Sequence, residues 1–170
     1  MTQQQIQAGT TSVWINKAER RLIVERVFDA PRALVWKAWT EPEHLARWWG
    51  PRGWTTTNYE MEVRPGGVWH YCMRGPGGEE SWGKAVYREI VEPHRIVYLD
   101  TFSDAEGNTV EGMPAVLITF EFAEHDGKTK ITSRGEFASV EELESVLAMG
   151  VVQGLTETWD RLAEYLGSMS

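Results

Sequence analysis

Residues 139–166 read SVEELESVLAMGVVQGLTETWDRLAEYL, and their apolar positions decide how the rest of the chain is read. Leu143, Val146, Leu147, Gly150, Val151, Gly154, Leu155, Thr158, Trp159, Leu162 and Leu166 recur at three-four spacing. Glu144, Gln153, Glu157, Asp160 and Glu164 take the other side. Ser139 is placed to cap the start, and Glu141 and Glu142 fall in the first turn, where negative charge suits the helix dipole. The pattern predicts one continuous helix of about 40 Å at 1.5 Å per residue, long enough to cross a whole curved sheet.

Working back from that helix, residues 54–134 change to strands and turns. Pro65-Gly66-Gly67, Gly75-Pro76-Gly77-Gly78, Glu92-Pro93-His94, Glu106-Gly107-Asn108 and Asp126-Gly127 punctuate about six strands, near 54–63, 67–74, 81–91, 95–102, 114–123 and 128–136. Short turns between consecutive strands imply an antiparallel meander. A further strand is expected over 20–29, where β-branched residues partly alternate. Two short helices follow it. Asp29-Ala30-Pro31 opens the first, with Asp29 as the capping acceptor, and Thr40-Glu41-Pro42-Glu43 opens the second in capping-box form, ending at Gly50-Pro51. Residues 1–12, polar and Gln-rich, read as a flexible tail, and 13–170 as one domain.

Composition narrows the function. The formal charge of −8 is spread along the chain, which argues against nucleic acid and anionic membranes as partners. No apolar run is long enough to span a membrane and the start has no signal-peptide architecture. The lone Cys72 rules out an internal disulfide and fits a reducing compartment, so the expected location is cytoplasmic. Its ordinary reading is as an inert core thiol. His44, His70, His94 and His125 show no metal-ligand spacing, and neither a phosphate-cradling loop nor a GxSxG turn is present. No metal and no cofactor are therefore expected, and a homodimer is left open.

Nine Trp, five Tyr and five Phe in 170 residues exceed the needs of a core this size, and aromatics also line pockets for apolar ligands. Alternation in 68–74 puts Trp69, Tyr71 and Met73 toward the terminal helix, with His70, Cys72 and Arg74 behind. Tyr87, Val116, Ile118, Phe120 and Phe122 are expected to join the first set. Opposite them, Gly150, Val151 and Gly154 lie on the helix stripe. Each glycine inside a helix costs up to about 1 kcal/mol, which calls for a reason. Close packing is the first, and room for a ligand the second. Of the adjacent Trp48 and Trp49, Trp49 is assigned to the pocket and Trp48 to the core, with the exchanged arrangement open. A flat apolar or aromatic molecule suits such walls. Among strand carboxylates Glu60, Glu62, Glu89 and Asp100, Glu89 is the weak catalytic candidate, together with His70.

The order of elements describes an α+β helix-grip fold: a curved antiparallel sheet of about six to seven strands wrapped around a long C-terminal helix. Val27-Phe28-Asp29-Ala30-Pro31, Thr40-Glu41-Pro42-Glu43-His44-Leu45 with Trp48-Trp49-Gly50-Pro51, Arg64-Pro65-Gly66-Gly67, the run Tyr87 to Tyr98, and Asp160 to Leu166 carry a resemblance. Over residues 20–166 the chain resembles the START-like (SRPBCC) superfamily, in the branch named after the activator of the ninety-kilodalton heat-shock protein ATPase. The resemblance implies the helix-grip fold and often a hydrophobic cavity, but no single activity. Three functions are expected in order: non-catalytic binding of a small hydrophobic molecule, an enzyme of the polyketide cyclase/dehydratase kind with a buried polar dyad, and a cochaperone-like interaction module. The last is weakened because the chain is expected to lack the additional N-terminal domain of the eukaryotic activators.

Overall fold

A computed structural model describes residues 3–8 and 10–169. Nine strands form one curved antiparallel sheet: β1 (Gln3–Ala8), β2 (Thr11–Asn16), β3 (Arg21–Phe28), β4 (Thr55–Met61), β5 (Val68–Arg74), β6 (Glu80–Val91), β7 (Arg95–Phe102), β8 (Ala115–His125) and β9 (Lys128–Phe137). The spatial order is β1-β2-β3-β9-β8-β7-β6-β5-β4. Strands β4 to β9 are the expected meander, since short hairpin loops force sequential neighbours to pair. Helices α1 (Arg32–Thr40) and α2 (Pro42–Leu45) carry the chain from β3 to β4, an edge of the sheet.

Two additional strands come from the segment read as a tail and the few residues that follow it. Residues Gln3–Ala8 pair in register with Thr11–Asn16, which pairs in turn with β3. Thr11, Val13 and Ile15 alternate inward and are buried, and Ile6, opposite Val13, packs against the core. The polar sequence of β1 hid a strand held mainly by backbone pairing at the sheet edge. The tail reading of Met1, Thr2 and Gly9 lies outside the described residues.

The helix starts also differ from expectation. Pro31 occupies the N-cap of α1 and Glu41 that of α2, neither with a side-chain cap, so Asp29 and Thr40 do not serve as caps. The Thr40 hydroxyl instead donates 2.8 Å back to the Trp36 carbonyl. Ser139 does cap its helix, accepting from the Glu142 amide at 3.1 Å.

The largest correction concerns the terminal rod. Residues 140–169 form two helices, α3 (Val140–Ala148) and α4 (Val151–Met169), separated at Met149-Gly150. Gly150 has φ +85°, a conformation that ends a helix and that side-chain-bearing residues adopt at a cost. Nothing lies within 4 Å of where its Cβ would be, so its reason is backbone freedom and not close packing. The second helix alone spans about 28 Å.

Inward-facing residues of the sheet meet these helices to form the core. Trp159 and Leu162 of α4 are buried, and Trp159 meets Phe28 edge-to-face at 5.6 Å. From α1, Trp36 and Trp39 contact Phe122 at 5.4 and 5.7 Å. Trp48 is wholly buried and donates its indole N–H to the Ala38 carbonyl at 3.1 Å. That bond satisfies the polar atom of a ring that burial would otherwise penalise.

Candidate functional site

The core is not filled throughout. Between the concave face of the sheet and the α3–α4 corner lies a cavity of about 350 Å³, within the size range of small-molecule sites. Strand alternation supplies one wall: Tyr71 and Met73 from β5, and Val116, Ile118 and Phe120 from β8. The opposite wall is built from Gly150, Val151 and Gly154, and Trp49 closes the side after α2. At Gly154 a Cβ would meet only Pro51, at 3.9 Å, so this glycine borders open space.

Two residues expected at the cavity lie behind its wall. Trp69 is stacked on Tyr71 at 4.2 Å and donates its indole N–H to Asn58 at 2.8 Å. Tyr87 is buried edge-to-face against Tyr98 at 5.9 Å. Both share the inward face, but the cavity ends before reaching them. Trp48 is core, while Trp49 lines the cavity and touches Trp69 and Tyr71 edge-on.

Neither weak catalytic candidate reaches this space. Glu89 follows a bulge in β6 and pairs with Arg95 at 2.6 Å on the surface. His70 lies on the far face of β5, its ring against Trp82 at 5.2 Å and its Nε2 donating 3.1 Å to the Asp104 carbonyl. Cys72 shares that face, fully buried, and burial pushes its thiol up, away from the reactive thiolate.

The polar group that does line the cavity is Asp100. Cross-strand register sets Ala85 opposite Asp100 and Tyr87 opposite Tyr98 on the inward face, so Asp100 emerges between aromatic rings. The Tyr71 hydroxyl donates to Asp100 Oδ1 at 3.2 Å. Gly83 makes that bond possible, because a Cβ there would overlap the Tyr71 ring. Desolvation dominates the carboxyl, pushing its pKa up to about 7, with the Tyr71 hydrogen bond opposing. Burial, helped by the Asp100 charge, likewise holds the Tyr71 and Tyr98 phenols well above their usual range.

Among the described residues three buried side-chain polar atoms lack a partner: Arg21 Nε, Trp39 Nε1 and Tyr98 Oη. Two of the three, on Trp39 and Tyr98, belong to residues lining the cavity, both in contact with the Phe120 ring. Tyr98 and Trp39 were not anticipated as site residues, and Asp100 was only one strand acid among four. The alternation Tyr98, Asp100, Phe102 was the available signal.

Among the described residues no group of three or more His, Cys, Asp or Glu side chains is arranged to hold a metal ion. No helix among them is long and apolar enough to cross a membrane.

Comparison with known proteins agrees with this architecture. A protein from Mycobacterium smegmatis is 32% identical, with 92% of this chain and 94% of that chain covered and a TM-score of 0.81. One from Staphylococcus epidermidis is 31% identical over 92% and 94% of the two chains, with a TM-score of 0.80. One from Arthrobacter aurescens is 28% identical over 92% and 91%, with a TM-score of 0.87. No curated protein matches the chain. The family pattern described as activator of Hsp90 ATPase homolog 1-like protein matches residues 29–167, and the chain belongs to that family, within the START-like helix-grip superfamily.

Proposed function

We propose that the protein binds a small, flat hydrophobic or aromatic molecule between the sheet and the α3–α4 corner, without altering it chemically. One observation carries this reading: a 350 Å³ cavity walled by rings and aliphatic side chains counts among its lining residues Trp39 and Tyr98, the owners of two of the three partnerless buried polar atoms among the described residues. An orphaned buried donor costs about 1–3 kcal/mol, so a filled core would not be expected to gather two around one void. Family membership is consistent with a ligand-binding or interaction module.

The test is direct. An environment-sensitive naphthalene dye such as ANS is titrated into the folded protein, and native mass spectrometry is run on protein purified from its host. Saturable one-to-one dye binding, and a carried apolar mass displaced by the dye, are expected. Absence of both would sink the reading.

A second reading, an enzyme of the cyclase/dehydratase kind, draws support from the Tyr71–Asp100 pair facing the cavity, the polar dyad such chemistry needs. Turnover of a bound polyketide-like probe that is lost in Asp100→Asn would favour it over simple binding. An interaction role has less behind it: the large exposed hydrophobics Val27, Tyr59, Val91, Val110, Met113 and Met149 are spread over β3, β4, β6, the β7–β8 connection and the α3–α4 turn.

A further inference from the structure

The walls of the cavity accept a flat apolar body, and one end of it is chemically different. Asp100 places a carboxylate there with a single hydrogen bond, from Tyr71. Tyr98, 2% exposed, also lines the cavity, and its buried hydroxyl has no partner. No Lys, Arg or His forms an ion pair with Asp100 among the described residues. Several cations on the surrounding elements are spent elsewhere: Arg74 of β5 on Glu80, Arg95 of β7 on Glu89 and Glu121, Arg134 of β9 on Glu121, and Arg26 of β3 on Asp160. Lys84 of β6 pairs with Thr101, one position off the Ala85–Asp100 pair, and so takes the other face of the sheet. Arg161 of α4 is bound to backbone carbonyls of the loop after α2. The titratable groups facing Asp100 are therefore the phenols of Tyr71 and Tyr98.

Other hydroxyls that line the cavity also present acceptors. Tyr71 gives its proton to Asp100, Thr101 to the Lys84 carbonyl and Thr158 to the Gly154 carbonyl, leaving lone pairs available. A carboxylate without a counter-charge, in a cavity that the rings of Tyr71 and Trp49 also line, matches a donor-rich cation, which both the carboxylate and the rings attract. A neutral alcohol would leave the carboxylate uncompensated, and an anion would be repelled.

We infer that the ligand carries a protonated nitrogen at one end of a flat apolar body and that Asp100 is its counter-ion. This rests on the cavity binding a small molecule as proposed above. The raised affinity of Asp100 for its proton supplies a handle: such a ligand gains its partner only as the carboxyl ionises, so affinity should climb as pH rises through about 7.

The experiment uses two near-isosteric probes, tryptamine and indole-3-ethanol, each competed against ANS and measured by calorimetry at pH 5.5 and 8.5. Tryptamine stays protonated across this range. The expected result is at least about tenfold tighter tryptamine binding at pH 8.5 than at 5.5, as one pKa unit corresponds to tenfold, with the alcohol unchanged. In Asp100→Asn, which keeps an acceptor for Tyr71 and whose fold is checked by circular dichroism, the pH dependence and the preference for the amine should vanish. The wild-type pH comparison stands even if that variant misfolds. Equal affinity for amine and alcohol at pH 8.5, or tryptamine affinity indifferent to pH, overturns the inference while leaving the cavity reading intact. So does failure of both probes to compete with a dye that binds. Failure of the dye as well removes the cavity reading, and this inference with it.

Discussion

Replacing Asp100 by Asn should stabilise the protein, and more so at higher pH. A free aspartate titrates near 3.9, whereas burial among the rings of Tyr71 and Tyr98 lifts Asp100 to about 7. Between those values the unfolded chain has released a proton that the folded chain still holds. Stability therefore falls as pH rises through this window, and the loss is complete above about 7. Three pKa units at about 1.4 kcal/mol each give ~4 kcal/mol at pH 8 and ~1.5 kcal/mol at pH 5. Because the carboxyl borders a cavity that water can enter, screening reduces these figures, and about 2 kcal/mol between the two pH values is the working expectation. Asn keeps the oxygen that accepts from Tyr71 and has no charge to bury. Urea melts of both proteins from pH 5 to pH 8 would read the difference, since other titrating groups cancel in the comparison. Wild type should lose about 2 kcal/mol relative to the variant over that range, or roughly 4–8 °C in melting temperature. Parallel stability curves would refute the placement of a desolvated carboxyl in this cavity.

Gly154→Leu projects a side chain into the open space beside Pro51; it should leave stability unchanged or raise it by up to about 1 kcal/mol through helix propensity while abolishing dye binding, as read by a melt and a titration on one sample. Gly83→Ala forces the Tyr71 ring off the site from which it reaches Asp100; a loss of about 1–3 kcal/mol in urea unfolding is expected, with the Asp100 carboxyl carbon titrating at still higher pH by NMR. Arg161→Leu strips the carbonyls of Trp49, Gly50, Pro51 and Trp54 of the guanidinium Nη1 that lies 2.9–3.4 Å from them; a cost of about 2–4 kcal/mol follows, only partly recovered by Lys, which lacks the planar fork.

The meander could be read almost residue by residue because Gly- and Pro-containing turns mark each hairpin and alternation fixes the face. The six strands expected between 54 and 136 all exist, with ends displaced by a few residues. Strand β1 escaped because its backbone pairing is indifferent to side-chain hydropathy and its Gln4, Gln5 and Gln7 are exposed. The break at Gly150 escaped for a different reason. Three-four spacing reports which face is apolar, and α3 and α4 both turn that face to the core, so the stripe runs unbroken across a backbone that does not. For the cavity, alternation on β5 and β8 located the wall, but not how far the void extends, which placed Trp69 and Tyr87 one layer too near. Asp100 was obscured by the usual habit of strand carboxylates to face water. Its neighbours Tyr98 and Phe102, each two residues away, mark the buried face to which it belongs.

What keeps the cavity open is an asymmetry between its walls. The sheet side cannot close inward, because each ring is held by its neighbours: Trp49 against Trp69, Trp69 stacked on Tyr71, and Tyr98 against Phe120. On the helical side, bulk is concentrated in α4 from Thr158 onward, where Thr158, Trp159, Leu162 and Leu166 are buried and Arg161 ties the helix to the loop carrying Trp49. The first turn of α4 has no fully buried residue, carries Gly154, and starts at the left-handed Gly150 beside the exposed Met149. Large side chains there would complete the core and add roughly the 1.5–3 kcal/mol that each buried aliphatic contributes. Their absence, together with a carboxylate whose burial costs stability on the facing wall, concentrates two unfavourable choices at one place. Two such costs meeting across a single void are hard to attribute to the needs of folding, and a ligand that filled the space and neutralised the charge would relieve both.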